Sequence, residues 1–383
     1  MRLIPLDFPT SFHRCAHLDS SQLLRLGRRS SVHPSVAHLT LEEKLRCAKD
    51  PNEKYDLAKL ALASTPVVAA SSLSVSTHPL FSWRNFSLCI VDESSLVLES
   101  SLLGPLVSAD RFVLVGDAKQ LSPLVQNKTA REEGMGKSLF ERLLDANRER
   151  HAVTLNMQYR MNEVLSSIPS ELFYSGRLKC ANDGVAKACL GNVHAGYKEI
   201  NADDSQSFSL ALSPSLEDSA IFIDTKVADE LTDYESCDSS CSIALSSSSP
   251  SITNDKEGAI IAQLVDKFIT RGISPSSIGV MAAYRKQIDV IRRAGVTSEI
   301  EVTTIDQWQG RDKSVVICSL VWTLAHGRKR SELLSDERRI NVALTRAKHK
   351  LVIVGCARSM KEKCPIVAEV IKRMKVESIP DTH

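Results

Sequence analysis

Short, β-branched apolar runs recur along the chain from about residue 66 onward. They read VVAA (67–70), LCIV (88–91), RFVLV (111–115), AIFI (220–223), IGVMA (278–282), EVTTI (301–305), VVICSLV (315–321) and LVIV (351–354). Helix-period patterns lie between several of them. Runs that stay apolar, rather than alternating with polar residues, predict strands buried on both faces. Strands of that kind separated by helices predict an α/β fold with mostly parallel sheets. One helix is signalled over residues 255–271. Asn254 and Glu257 have capping-box spacing, Ile260, Ile261, Leu264, Val265 and Phe268 make one face, and Gly272 follows the end.

Composition changes this picture little. The chain has 383 residues, 43% hydrophobic and 25% charged, with a net charge of +2. That length holds about two to three domains, and the charge argues neither for nor against nucleic acid. Ten cysteines are scattered, Cys89 and Cys318 within apolar runs, which predicts buried thiols of an intracellular protein rather than a disulfide framework. No apolar run reaches membrane-spanning length, and the first residues lack the apolar stretch of a secretory signal. Residues 233–253 are serine-rich and predict a mobile surface insertion; Cys237 and Cys241 within it lack a second pair at metal-ligand spacing. The cluster His13, Cys15, His17 is left unassigned.

Chemistry concentrates where predicted strands end. FSLCIV runs into Asp92-Glu93, and carboxylates at the carboxyl end of a buried strand lie where α/β sheets bind ligands. Such an aspartate can hold Mg²⁺ and its neighbour can activate a water. RFVLV runs into Gly116-Asp117-Ala118-Lys119-Gln120, with a glutamine able to sense a γ-phosphate. Three further segments follow: Gln158-Tyr159-Arg160-Met161, TTIDQWQGRDKS (303–314) and ERRINVALTRAKHK (337–350). Arg160 and Arg346 within them carry the guanidinium that bridges phosphate oxygens and neutralises developing charge.

GMGKS (134–138) imitates a phosphate-binding loop. The spacing G-x-x-x-x-G-K-[ST] requires a glycine at 131, where Arg131 stands, and Glu132 and Glu133 carry the wrong charge for a polyphosphate. The segment reads instead as a loop with Ser138 near the start of an amphipathic helix carrying Leu139, Phe140, Leu143 and Leu144.

In order, IVDESS, VGDAKQLSPLV, MQYRMN, TIDQWQGRDKS and RRINVALTRAKHKLVIVG resemble motifs II to VI of superfamily 1 helicases. They are most similar to the helicase half of the eukaryotic flap-processing replication helicase/nuclease family, over roughly residues 22–180 and 220–358. The RNA-surveillance helicases share QYRM, QGR and NVALTRA. The resemblance implies two RecA-like domains, the first (1–155) N-terminally incomplete and the second (156–383) carrying the serine-rich insertion. It implies ATP as cofactor, with Asp92 and Glu93 on Mg²⁺, Gln120 sensing the γ-phosphate, and Arg160 and Arg346 as arginine fingers. Gly116, Asp117, Gly310 and Asp312 would lie beside the nucleotide, and Thr304 near DNA. Single-stranded or flap DNA and replication and repair proteins are the implied partners, with no membrane, in the nucleus and also the mitochondrion. HGRKR (326–330) could assist DNA binding, although a solvated turn reads better. The family's phosphate loop, and its nuclease domain with an iron–sulfur cluster, are expected outside this chain, which alone should not hydrolyse ATP. An inactive DNA- or partner-binding pseudo-helicase and an RNA helicase stay open as alternatives.

Overall fold

The computed structural model describes residues 2–3, 19–27, 32–78, 81, 83–146, 151–194, 196–197, 208–226, 243–244, 251–323 and 331–379. Most of the serine-rich stretch, including Cys237 and Cys241, lies outside them, as do HGRKR and the His13–His17 cluster. The chain divides into two compact units, Met1–Val153 and Thr154–His383.

In the first unit, β1 (Arg2–Leu3), β4 (Cys89–Val91) and β5 (Phe112–Leu114) form one parallel sheet in the order β1-β4-β5, and β2 (Leu23–Arg25) pairs in parallel with β3 (Val67–Ala69). The runs of β3 and β4 are covered as expected, but RFVLV is not buried on both faces: Phe112 and Val113 in β5, and Val115 just after it, are exposed. Leu24, Leu62, Val68, Cys89, Val91 and Leu102 are all buried in one cluster. Parallel pairing of β4 with β5 brings both carboxyl ends to one edge, which sets Asp92 near Gly116.

The second unit begins with β6 (Met157–Gln158), paired in parallel with β7 (Lys179–Cys180). Its centre is a six-stranded parallel sheet. The strands are β8 (Ala220–Asp224), β11 (Ile278–Ala282), β12 (Glu301–Thr304), β13 (Lys313–Ser319), β14 (Ala347–Gly355) and β15 (Lys375–Ser378), in the order β12-β11-β13-β14-β8-β15. A short antiparallel pair, β9 (Ile243–Ala244) with β10 (Ser251–Ile252), stands apart from it. The α/β, mostly parallel architecture read from the apolar runs is the one observed.

The helix expected at 255–271 spans Asp255–Thr270 and buries the predicted face. Its capping box is only half formed. Asn254 accepts from the Glu257 N–H at 3.0 Å, but the Asn254 N–H goes to Gln287 Oε1 at 2.8 Å. The fully buried Glu257 carboxylate turns to Ser319 Oγ (2.6 Å) and the Val321 N–H (2.9 Å), at the end of β13. Burial there raises its pKa to about 7, with the Ser319 and Val321 donors opposing the rise. The physical reason is depth: a carboxylate at this position sees strand-end donors rather than water, and a buried acceptor must be satisfied.

Candidate nucleotide-hydrolysis residues

The first unit joins two of the strand-end motifs. Beyond β4 the chain turns sharply: Glu93 adopts φ 51°, ψ 37°, and its N–H donates to Asp92 Oδ1 at 3.1 Å. That left-handed conformation is uncommon for a non-glycine residue. The turn is fastened to the next strand by Ser94, whose N–H and hydroxyl both donate to the Val115 carbonyl at 2.8 Å. Gly116 follows, and a Cβ there would lie 3.0 Å from Ser95 N and 3.1 Å from Ser94 Oγ. A side chain would wedge the two turns apart. Asp117 organises its own loop, accepting from the Lys119 N–H (2.8 Å) and from Gln120 Nε2 (3.1 Å). Asp92, Glu93, Gly116, Asp117 and Gln120 therefore belong to one pair of adjoining turns.

Asp92 and Glu93 are half-buried carboxylates, hard oxygen donors of the type Mg²⁺ prefers. Mg²⁺ takes one or two carboxylates and completes its shell with water and phosphate oxygens, so this donor set fits it. Among the described residues no cluster of three or more His, Cys, Asp or Glu side chains could hold a metal without such help.

The GMGKS segment is a helix start. Ser138 accepts from the Glu141 N–H at 3.2 Å and caps the helix Leu139–Asp145, while Lys137 pairs with Asp145 at 2.5 Å.

In the second unit three segments far apart in sequence meet. Arg160 donates through Nε to Asp312 Oδ2 at 3.1 Å and through Nη1 to the Thr345 carbonyl at 2.9 Å. Lys348 holds the other Asp312 oxygen at 2.7 Å. Burial alone would raise the Asp312 pKa, but Lys348 and Arg160 outweigh it and keep the carboxyl below its ordinary range. Gly310, at φ 80°, makes the turn that delivers Asp312. Asp306 ties this segment to the helix Glu337–Leu344 through Arg339 at 2.8 Å. Thr304 ends β12, level with Ala282 of β11, and carries no part of the cluster.

Arg346 is placed differently from Arg160. It is 2% exposed, and its guanidinium donates to the Val342 carbonyl (3.1 Å) and Thr345 Oγ1 (2.7 Å). Thr345 thus touches both arginines, one through its carbonyl and one through its hydroxyl. Sequence reasoning passed over Thr345, Lys348 and the Gln158 side chain. All three lie inside the motifs already quoted, so their position was visible and their partners were not.

Residues 135–358 match a family model described as an AAA domain. The chain belongs to the AAA domain family. A second AAA domain model matches residues 52–128, which include Asp92, Glu93, Gly116 and Gln120. Among curated proteins it is similar to DNA replication ATP-dependent helicase/nucleases. It is 39% identical over 362 residues to the Xenopus laevis DNA replication ATP-dependent helicase/nuclease DNA2, covering 93% of this chain and 32% of that protein. The Mus musculus protein of the same name is 39% identical over 356 residues, covering 90% and 31%. The chain thus spans about a third of the length of these curated relatives. The solved PRRSV helicase aligns over 94% of this chain and 53% of that one, at 11% identity and a TM-score of 0.39, too slight a likeness to add to the fold argument.

Proposed function

We propose that this chain is the helicase portion of an ATP-dependent DNA helicase/nuclease that processes flaps in DNA replication and repair, moving on single-stranded DNA. The observation that carries the reading is the joining of Arg160, Asp312, Thr345 and Arg346, three motifs brought to one place by β13, β14 and the Glu337–Leu344 helix. A guanidinium and an ammonium on one carboxylate, with a second guanidinium bonded to the neighbouring Thr345, suit a site that answers to phosphate charge. In the first unit, Asp92 and Glu93 would hold Mg²⁺, which supplies charge neutralisation at the phosphates. Glu93 would take the proton of the attacking water, and Gln120 would read the γ-phosphate. In this reading Gly116, Asp117, Gly310 and Asp312 would be nucleotide-binding residues, and Thr304 would be near DNA. Replication and repair proteins, the nucleus and the mitochondrion complete the proposal; an iron–sulfur cluster belongs to a nuclease domain elsewhere in such a protein.

The same reading says that these 383 residues alone do not turn ATP over, because no segment of them has phosphate-loop spacing. Without those N–H groups and their lysine, the β- and γ-phosphates lack their main anchor. The test is fluorescence anisotropy with labelled single-stranded DNA and RNA, together with a steady-state ATPase assay in Mg²⁺. The expected result is salt-dependent DNA binding with hydrolysis at background. Failure to bind DNA, tighter binding of RNA, or turnover of about 1–100 s⁻¹ would each overturn it.

A further inference from the structure

Gln158 ends β6, and its side chain folds back over the turn that follows. Oε1 accepts from the N–H groups of Arg160 and Met161, both at 2.8 Å. Nε2 donates to the Met161 carbonyl at 2.7 Å and to Cys180 Sγ at 3.1 Å. Every donor and both acceptor directions of the amide are thereby used. Its orientation follows from its partners, since two N–H groups need the oxygen and a carbonyl needs the nitrogen. Cys180, level with Gln158 in β7, closes the back of the amide and also touches Ser166 Oγ at 3.4 Å.

This hook has a specific beneficiary. Tyr159, the centre of the turn, is 71% exposed and its side chain does not hold the turn, while the buried Met161 anchors only the far end, beyond Arg160. Arg160 must nevertheless reach Asp312 and Thr345, 152 and 185 residues away in sequence. A guanidinium on a long stem keeps such a pair of bonds only if its own backbone is fixed.

We propose that Gln158 is the positioning residue of Arg160: its amide locks the Gln158–Met161 turn so that the guanidinium points at Asp312 and the Thr345 carbonyl. The proposal deepens the reading of Arg160 given above. Gln158 touches no reacting atom, and it acts through the arginine. The dependence is one-way. Loss of Gln158 frees Arg160, whereas loss of the Asp312 contact leaves the hook closed.

That asymmetry is measurable without nucleotide, by NMR of the full chain labelled with ¹⁵N. Two readouts are followed: exchange of the Arg160 and Met161 amides, and the slowly exchanging Nε–H resonance of Arg160. In Gln158→Leu both amides should exchange about tenfold faster or more, the size expected for one lost hydrogen bond, and the Nε–H signal should disappear. In Asp312→Ala the Nε–H signal should disappear while both amides stay protected. An amide that merely fills the end of β6 would leave the Nε–H signal of Gln158→Leu as in the parent, and that result overturns the proposal. Deprotected amides in Asp312→Ala would overturn it too, by showing that the arginine holds the turn. Should Gln158→Leu not fold, Gln158→Met keeps the length and loses all four bonds, and is read the same way. If Arg160→Ala in a protein supplied with a phosphate loop leaves hydrolysis unchanged, the nucleotide reading fails while these two signals still report on the hook.

Discussion

Gly279→Ala should destabilise the second unit through one contact. Gly279 lies in β11, between β12 and β13. A Cβ built there falls 2.1 Å from Trp308 Cη2, 2.7 Å from Cζ2 and 3.0 Å from Lys313 Cγ. The indole is 0% exposed and rigid, and the strand is paired on both sides, so neither partner can retreat cheaply. Overpacking of this kind costs about 1–3 kcal/mol. For a unit of this size each kcal/mol lowers Tm by roughly 2–4 °C, so the expected fall is roughly 2–12 °C. The assay is urea unfolding followed by tryptophan fluorescence, on Gly279→Ala, Trp308→Leu and the double variant. In the Trp308→Leu background the alanine should cost less than about 0.5 kcal/mol, leaving most of the effect as coupling between the two positions. Equal cost in both backgrounds, or no cost in either, would refute the argument. The site feels the same change. The Arg311 N–H bonds the Trp308 carbonyl at 3.0 Å, so a displaced indole pulls on the turn that carries Gly310 and Asp312.

Other outcomes follow from single groups. In a protein carrying a phosphate loop upstream of this chain, Arg346→Ala should lower kcat by about 10³–10⁵ with far less effect on ATP affinity; a loss confined to affinity would make Arg346 a binding group. Lys137→Ala should leave hydrolysis in that protein within a few-fold, and cost about 0.5 kcal/mol or less in urea unfolding, because its only described ion pair, with Asp145, is between exposed groups. Burial pushes the His349 pKa down to about 4, aided by His194 and Lys348. The unfolded chain therefore takes up this proton near the ordinary value of about 6.5 and the folded chain does not. Stability from this group is lost as pH falls from about 6.5 to about 4, so His349→Gln should gain on the parent across that window in urea titrations; parallel pH profiles would count against it. Glu257 slopes the other way: with its pKa raised to about 7, the folded form binds the proton first, and Glu257→Gln should lose ground to the parent as pH falls from about 7 to about 4.5.

The elements themselves were legible in the amino-acid order. Each apolar run from VVAA to LVIV lies on a strand, and Ser138 caps a helix as GMGKS implied. These features are local: a run of β-branched apolar residues favours extended backbone, and a serine before an apolar period satisfies orphan N–H groups within one turn. The motif order was legible for the same reason, since each motif is a contiguous strand end. What the order of residues could not show was where polar side chains would turn once buried. Asn254 and Glu257 have the spacing to cap each other, yet Glu257 serves Ser319 and Val321, more than 60 residues on. Arg346 reads as a guanidinium for phosphate, and nothing in its segment shows that Val342 and Thr345 would be its partners in the fold. Gln158 reads as one letter of a motif and becomes a clamp on its own turn. The partner of a buried polar group is whichever donor or acceptor the packed strands leave within about 3 Å; pairing of β13 with β14 sets Asp312 and Thr345 at the starts of neighbouring strands, and Arg160, from outside that sheet, reaches both.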